Sequence, residues 1–152
     1  MLLDALFQIW RRLSGSLQWW FLWVISSKYM ISVSGVIFDG EGRVLLQRHR
    51  HWVKDVWGLP GGIIEGRESL EEALAREVYE ETGLRIHEVE LLRIESGYKL
   101  RLEGYFRAKL IDDKQRMTIQ EDEVLEARFF RLDELPENML LLQREVIKQA
   151  IG

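Results

Sequence analysis

"LAREVYEETGL", residues 74–84, places three glutamates, Glu77, Glu80 and Glu81, in a stretch whose apolar residues recur at helical spacing. On a wheel of about 100° per residue with Leu70 at zero, Ala73 falls near 300°, Leu74 near 40° and Val78 near 80°. Glu77 then lies at about 340° and Glu81 at about 20°, inside the apolar stripe, while Glu80 sits on its flank near 280°. A solvated helix face accounts for Glu71 and Glu72 but not for Glu77 and Glu81. Like charges facing inward repel and lose hydration, so each must raise the other's pKa or find a cation. Arg76 reaches Glu72 or Glu80 at i±4, yet one guanidinium cannot neutralise the whole group. A hard divalent cation with oxygen ligands resolves the conflict.

Working outward, Ser69 with Glu72 three residues on forms a capping box that starts this helix, and Gly83 ends it. Upstream, "ISVSGVIFDGEGRVLLQRH" reads as two strands joined at "DGEG", a hairpin with glycine-supplied turns. Downstream, "YKLRLEGYFRAKL", residues 98–110, alternates. Leu100, Leu102, Phe106, Ala108 and Leu110 share one face, as expected of a half-buried strand. "VLEARFFRL" reads as another strand, and "MLLLQREVIKQAI" as a closing helix after Pro136. This mixed order predicts an α/β fold, a sheet with helices on its faces.

The 152 residues, 47% apolar and 30% charged, suit one globular domain. A net charge of −4 argues against a protein that coats nucleic acid, and no nucleic-acid partner is expected. Cysteine is absent, which excludes disulfides, thiolate metal sites and cysteine nucleophiles and fits a reducing, cytoplasmic setting. Residues 1–29 form a separate apolar helical arm in which Trp10, Trp19, Trp20 and Trp23 cluster. Its apolar run "LQWWFLWVI" is shorter than the roughly 20 residues of a membrane-spanning helix. Asp4 and the central Arg11-Arg12 pair do not follow the order of a signal peptide. The arm is expected either to pack on the domain or on a second subunit, giving a homodimer, or to lie in a membrane surface as a peripheral anchor.

The longer stretch "GIIEGRESLEEALAREVYEETGL", residues 62–84, resembles the signature of the Nudix hydrolases. Gly62, Glu68, Arg76, Glu77, Val78, Glu80, Glu81, Gly83 and Leu84 fill its fixed positions. The flanks "WGLPG" and "EVLEARFFRLDELP" are similar to the family's, so the likeness spans about residues 30–151, outside the arm, and sets a domain at residues 30–152. It implies an α/β/α sandwich with a mixed sheet. It also implies a pyrophosphohydrolase acting on a nucleoside diphosphate linked to another moiety, with Mg²⁺ or Mn²⁺ as cofactor. By the same resemblance Glu77, Glu80 and Glu81 bind the metal with the backbone carbonyl of Gly61. Arg76 orients the glutamates, Glu68 braces the loop, and Glu123 adds an acid from beyond the box, with Glu121 and Glu126 as alternatives. Glu77 is the default general base.

The segment "RHRHWVK", residues 48–54, reads as a solvated strand end or as phosphate-binding machinery. Arg48 is the candidate to hold a distal phosphate, because guanidinium forks suit that geometry, and Arg50 is a further substrate-binding candidate. Trp57 and Trp52 are candidates for stacking on a base, against simple packing. His49 and His51 lack metal-ligand spacing and read as surface or hydrogen-bonded groups; Tyr98 and Tyr105 are further pocket candidates. The rival reading is a catalytically weak nucleotide- or metal-binding module on the same fold. An isoprenoid diphosphate isomerase of this fold relies on a cysteine, which the chain lacks, and no EF-hand loop is present.

Overall fold

The computed structural model describes residues 7–8, 10–97 and 99–152. Among the described residues, residues 7–8 and 10–12 are helical, and six strands and three further helices follow in chain order: α1 (Gly15–Ile25), β1 (Met30–Phe38), β2 (Val44–His49), β3 (Gly61–Ile63), α2 (Leu70–Thr82), β4 (Ile86–Gly97), β5 (Arg101–Leu110), β6 (Val124–Phe130) and α3 (Leu141–Ile151). A turn of 3-10 helix, Leu132–Glu134, precedes α3.

One mixed sheet runs β4-β5-β1-β2-β6. β1 pairs with β5 in parallel from Met30↔Arg101 to Phe38↔Lys109. Its other edge is shared. β3 takes Ser32 to Ser34 antiparallel, and β2 joins only at Phe38↔Val44 before turning away to pair with β6. The sheet therefore splits where β3 and β2 diverge, and the loop leading into β3 fills the fork.

Alternation along the strands loads both faces. Val33, Ile37, Leu45, Phe106 and Ala108 pack under α2 with Leu74 and Val78. Val36, Val44, Leu46, Tyr105 and Phe130 pack under α3 with Val146 and Ile147. The layers are helix, sheet, helix, as expected. β5 corrects its expected character: Tyr105 and Phe106 are both buried, on opposite faces, so its middle is central rather than half-buried. Leu100 is not in that strand. Lys99 and Leu100 have φ of 55° and 59° and form the turn between β4 and β5, leaving Leu100 exposed. Tyr98 lies outside the described residues.

α2 carries the predicted capping box. Ser69 Oγ accepts from Glu72 N at 3.1 Å, and Glu72 Oε2 accepts from Ser69 N at 2.8 Å. Glu72 is thus committed to the cap and not to Arg76. Gly83 closes the helix at φ 69°, the left-handed conformation that glycine adopts without strain. No residue of α1 is buried, so packing on the domain does not cover this helix.

Candidate active site

The C-terminal half of α2 faces the fork in the sheet, and the inward positions on the helical wheel are the ones observed. Glu81 is 2% exposed, Glu77 is half-buried, and Glu80 projects outward. Glu81 is held on both oxygens: Gln47 Nε2 donates to Oε1 at 2.7 Å and Gly61 N donates to Oε2 at 3.1 Å. Even so, burial pushes its carboxyl up to about 8, with Glu77 and Glu123 adding repulsion. Glu77 is also raised, chiefly by burial and against the pull of Arg76, with Glu80 and Glu123 adding to the rise. Its carboxylate lies over Gly62, where an added Cβ would stand 2.2 Å from Oε1.

Arg76 ties the acids together. Its guanidinium donates to Glu68 at 2.8 and 3.1 Å, to Glu77 at 3.0 Å, to Glu80 at 3.1 Å and to the Ile63 carbonyl at 3.1 Å. Glu68 also accepts from Glu65 N, which draws the loop before α2 onto the helix. The bracing role expected of Glu68 matches this geometry.

Glu123 arrives from the loop before β6. Thr118 N and Gln120 N donate to the carbonyls of Thr82 and Glu81 at 2.8 and 3.1 Å, satisfying groups that the helix end leaves open. The chain then turns so that Glu123 Oε2 stands 3.5 Å from His49 Nε2, while the same nitrogen is 3.8 Å from Glu81 Oε1. His49 stacks on Trp52 at 5.3 Å, and burial lowers its pKa. Sequence reading missed Gln47 and took His49 only as a surface or hydrogen-bonded group. They follow Leu45 at alternate positions of β2 and share its inward face, so a polar turn in that strand's core-facing pattern was the available signal.

Arg48 and Arg50 are both already engaged, and Arg48 lies on the face of β2 opposite Gln47 and His49, over Trp57. Arg48 pairs with Glu126 at 2.6 Å and Asp55 at 3.2 Å, and Arg50 donates to the Glu121 carbonyl at 3.0 Å. Trp57 takes the packing reading. It is 6% exposed, edge-on to Phe130 at 4.8 Å, with the guanidiniums of Arg48 and Arg128 over its ring at 5.4 and 5.0 Å. A ring so covered has no face for a base. Tyr105 is likewise buried.

Among the described residues no three acidic or histidine side chains are placed to hold a metal ion as they stand. Glu77 and Glu80 turn to Arg76, and Glu81 to Gln47 and Gly61. The donor chemistry nonetheless fits a hard cation. All the candidate ligands are oxygens, two of the acids carry raised pKa values, and buried Gln47 Oε1 finds no donor among the described residues.

The NUDIX domain family matches residues 28–150. The chain belongs to the Nudix family. Among relatives, an RNA pyrophosphohydrolase of Teredinibacter turnerae is 43% identical over 67 residues, 44% of this chain and 39% of that one. The NAD-capped RNA hydrolase NudC of Mycobacterium tuberculosis is 32% identical over 101 residues, 66% of this chain and 32% of that one. The chain thus covers less than half the length of these curated relatives. Among solved structures, a MutT Nudix hydrolase from Burkholderia pseudomallei superposes with a TM-score of 0.69 at 23% identity, covering 81% of this chain and 98% of that one. A Nudix hydrolase from Nitrosomonas europaea gives 0.71 at 26%, covering 81% and 70%. The Nudix fold accordingly accounts for the sheet and the helices on its two faces.

Proposed function

We propose that this chain is a Nudix-type pyrophosphohydrolase that cleaves a diphosphate linkage in a nucleoside diphosphate joined to another moiety, with Mg²⁺ or Mn²⁺ as cofactor. The observation that carries this reading is Glu81, buried beside Glu77 with a carboxyl raised to about 8. An acid kept in that state at a cost to folding is explained by a cation that it serves. Glu77, Glu80, Glu81 and Glu123 with the Gly61 carbonyl would hold the ion. When bound, it supplies charge neutralisation and Lewis-acid polarisation of phosphoryl oxygens.

The chain's own residues supply the rest. Arg76 fixes the three glutamates that it touches. Glu77, whose carboxyl pKa is raised by burial against the pull of Arg76, takes the proton of the attacking water as general base. The water oxygen then bonds to phosphorus as the bridging P–O bond breaks, and the departing phosphate carries away the electron pair. Arg48 and Arg50 hold the distal phosphate, Arg48 exchanging Asp55 or Glu126 for phosphate oxygens. Trp57 supports Arg48 from beneath.

The test is a panel of nucleoside triphosphates, nucleotide sugars, dinucleotides and capped RNA 5′ ends, with phosphate products identified. At least one class should turn over with Mg²⁺ or Mn²⁺. Glu77→Gln and Glu81→Gln should reduce that turnover on the order of a hundredfold or more while the circular dichroism spectrum is retained. Full turnover in either variant refutes the assignment. A folded chain that binds nucleotide but turns over no class supports the binding-module reading instead.

A further inference from the structure

We propose that α1 inserts into one leaflet of an anionic lipid surface and anchors this domain there. Trp19, Trp20 and Trp23 are 66%, 59% and 53% exposed, and Phe21 and Leu22 are exposed with them. At about 100° per residue, four successive positions from Trp19 to Leu22 point in four different directions. The helix is apolar on every side, a pattern that belongs in an apolar surround and not at a water boundary. A second copy of the chain would cover one side of such a helix. Lipid covers all of them.

Length and charge agree with this assignment. Eleven residues rise roughly 16 Å, about half of a hydrocarbon core of about 30 Å, so the helix fits within one leaflet. None of the described helices is long and apolar enough to cross a membrane. From Leu13 to Ser27 no residue carries charge, whereas Arg11 and Arg12 precede the run and Lys28 follows it. Cations at both ends of an uncharged, tryptophan-rich segment complement anionic headgroups.

The helix ends are also prepared for poor hydration. Ser14 Oγ accepts from Leu17 N at 3.4 Å, and Lys28 Nζ donates to the carbonyls of Ser26 at 2.8 Å, Val24 at 3.3 Å and Trp23. Backbone groups closed internally carry less penalty where water is scarce. At the other end, Gln18 Nε2 donates to the Trp10 carbonyl at 2.7 Å and Trp10 meets Phe21 edge-on at 5.7 Å. These contacts hold the adjoining arginines, both exposed, close to the start of the helix.

The test is flotation of the full chain with vesicles of phosphatidylcholine alone and of phosphatidylcholine with phosphatidylglycerol. The chain should partition more than tenfold better onto the anionic vesicles. Trp20→Glu with Trp23→Glu should abolish binding. Arg11→Gln with Arg12→Gln should weaken binding to the anionic vesicles more than tenfold, at roughly fivefold per cation. Turnover of a water-soluble substrate should be unchanged in both pairs, which shows that they fold. Failure to float with either vesicle overturns the proposal, as does equal partition onto both. A dimer detected by light scattering and broken by the tryptophan pair, without vesicle binding, overturns it in favour of self-association.

Discussion

Replacing Glu81 with glutamine should make the metal-free protein more stable while destroying its activity. The folded carboxyl titrates at about 8, against roughly 4.3 for an unfolded glutamate. At pH 7 the unfolded chain ionises this group and the folded chain does not, a linkage cost of roughly 3 to 4 kcal/mol against folding. Glutamine removes that cost but cannot accept from both Gln47 Nε2 and Gly61 N. Its own NH₂ faces one of the two donors, returning about 1–2 kcal/mol. The net gain of about 2 kcal/mol corresponds to a rise in Tm of roughly 4–8 °C for a domain of this size. The sign with pH follows from a folded pKa raised above the unfolded one. Wild-type stability is fully present below the unfolded pKa and is lost as pH rises through the folded one, so the gap should be small near pH 4.5 and widest above about pH 8. Thermal unfolding of both proteins in EDTA at pH 5, 7 and 8.5, repeated with Mg²⁺, measures it. Saturating Mg²⁺ should stabilise the wild type and leave the variant unmoved. A variant less stable than wild type at pH 8.5, or a gap indifferent to pH, would refute the reasoning.

Gly62→Ala places a methyl 2.2 Å from Glu77 Oε1. The carboxylate must move, and kcat/KM should fall on the order of tenfold to a hundredfold with little change in Tm. Arg76→Lys keeps the charge but not a fork that reaches Glu68, Glu77, Glu80 and Ile63 together, so unfolding should show a loss of about 2 kcal/mol. Its turnover should fall at least tenfold alongside. EDTA should abolish turnover, with Mg²⁺ or Mn²⁺ restoring it and Ca²⁺ restoring far less. Restoration by buffer alone would count against a metal requirement.

What the sequence made legible was local chemistry at known spacing. The helical period placed Glu77 and Glu81 inward, and Ser69, Glu72 and Gly83 marked the ends of α2, because caps and periodicity depend on residues within a few positions of one another. β4 was not recognised. Its pairing with β5 slips twice, between His87 and Glu90 and between Leu91 and Arg93, and Glu88 sits at φ 51°, so no clean alternation survives. Leu100 continued an apolar alternation that the hairpin turn interrupts. Gln47 and His49 became site residues only because β2 leaves β1 and passes beneath α2, a tertiary fact. The pairing of Arg48 with Glu126 across the β2–β6 ladder is likewise invisible along the chain.

The segment in the fork of the sheet, residues 57–61, has a wider consequence. Trp57 N donates to Asn138, Gly58 N to Gln47, Leu59 N to the Gln143 side chain and Gly61 N to Glu81, while the Pro60 carbonyl accepts from Gly35 N. A stretch that is mostly loop is therefore bolted to five separate parts of the chain. Its amides should resist solvent exchange as stubbornly as those of a central strand. Because the Gly61 donor is fixed before any ligand arrives, the entropy of arranging this wall is spent during folding, and little of it is left to oppose the arrival of ion and substrate.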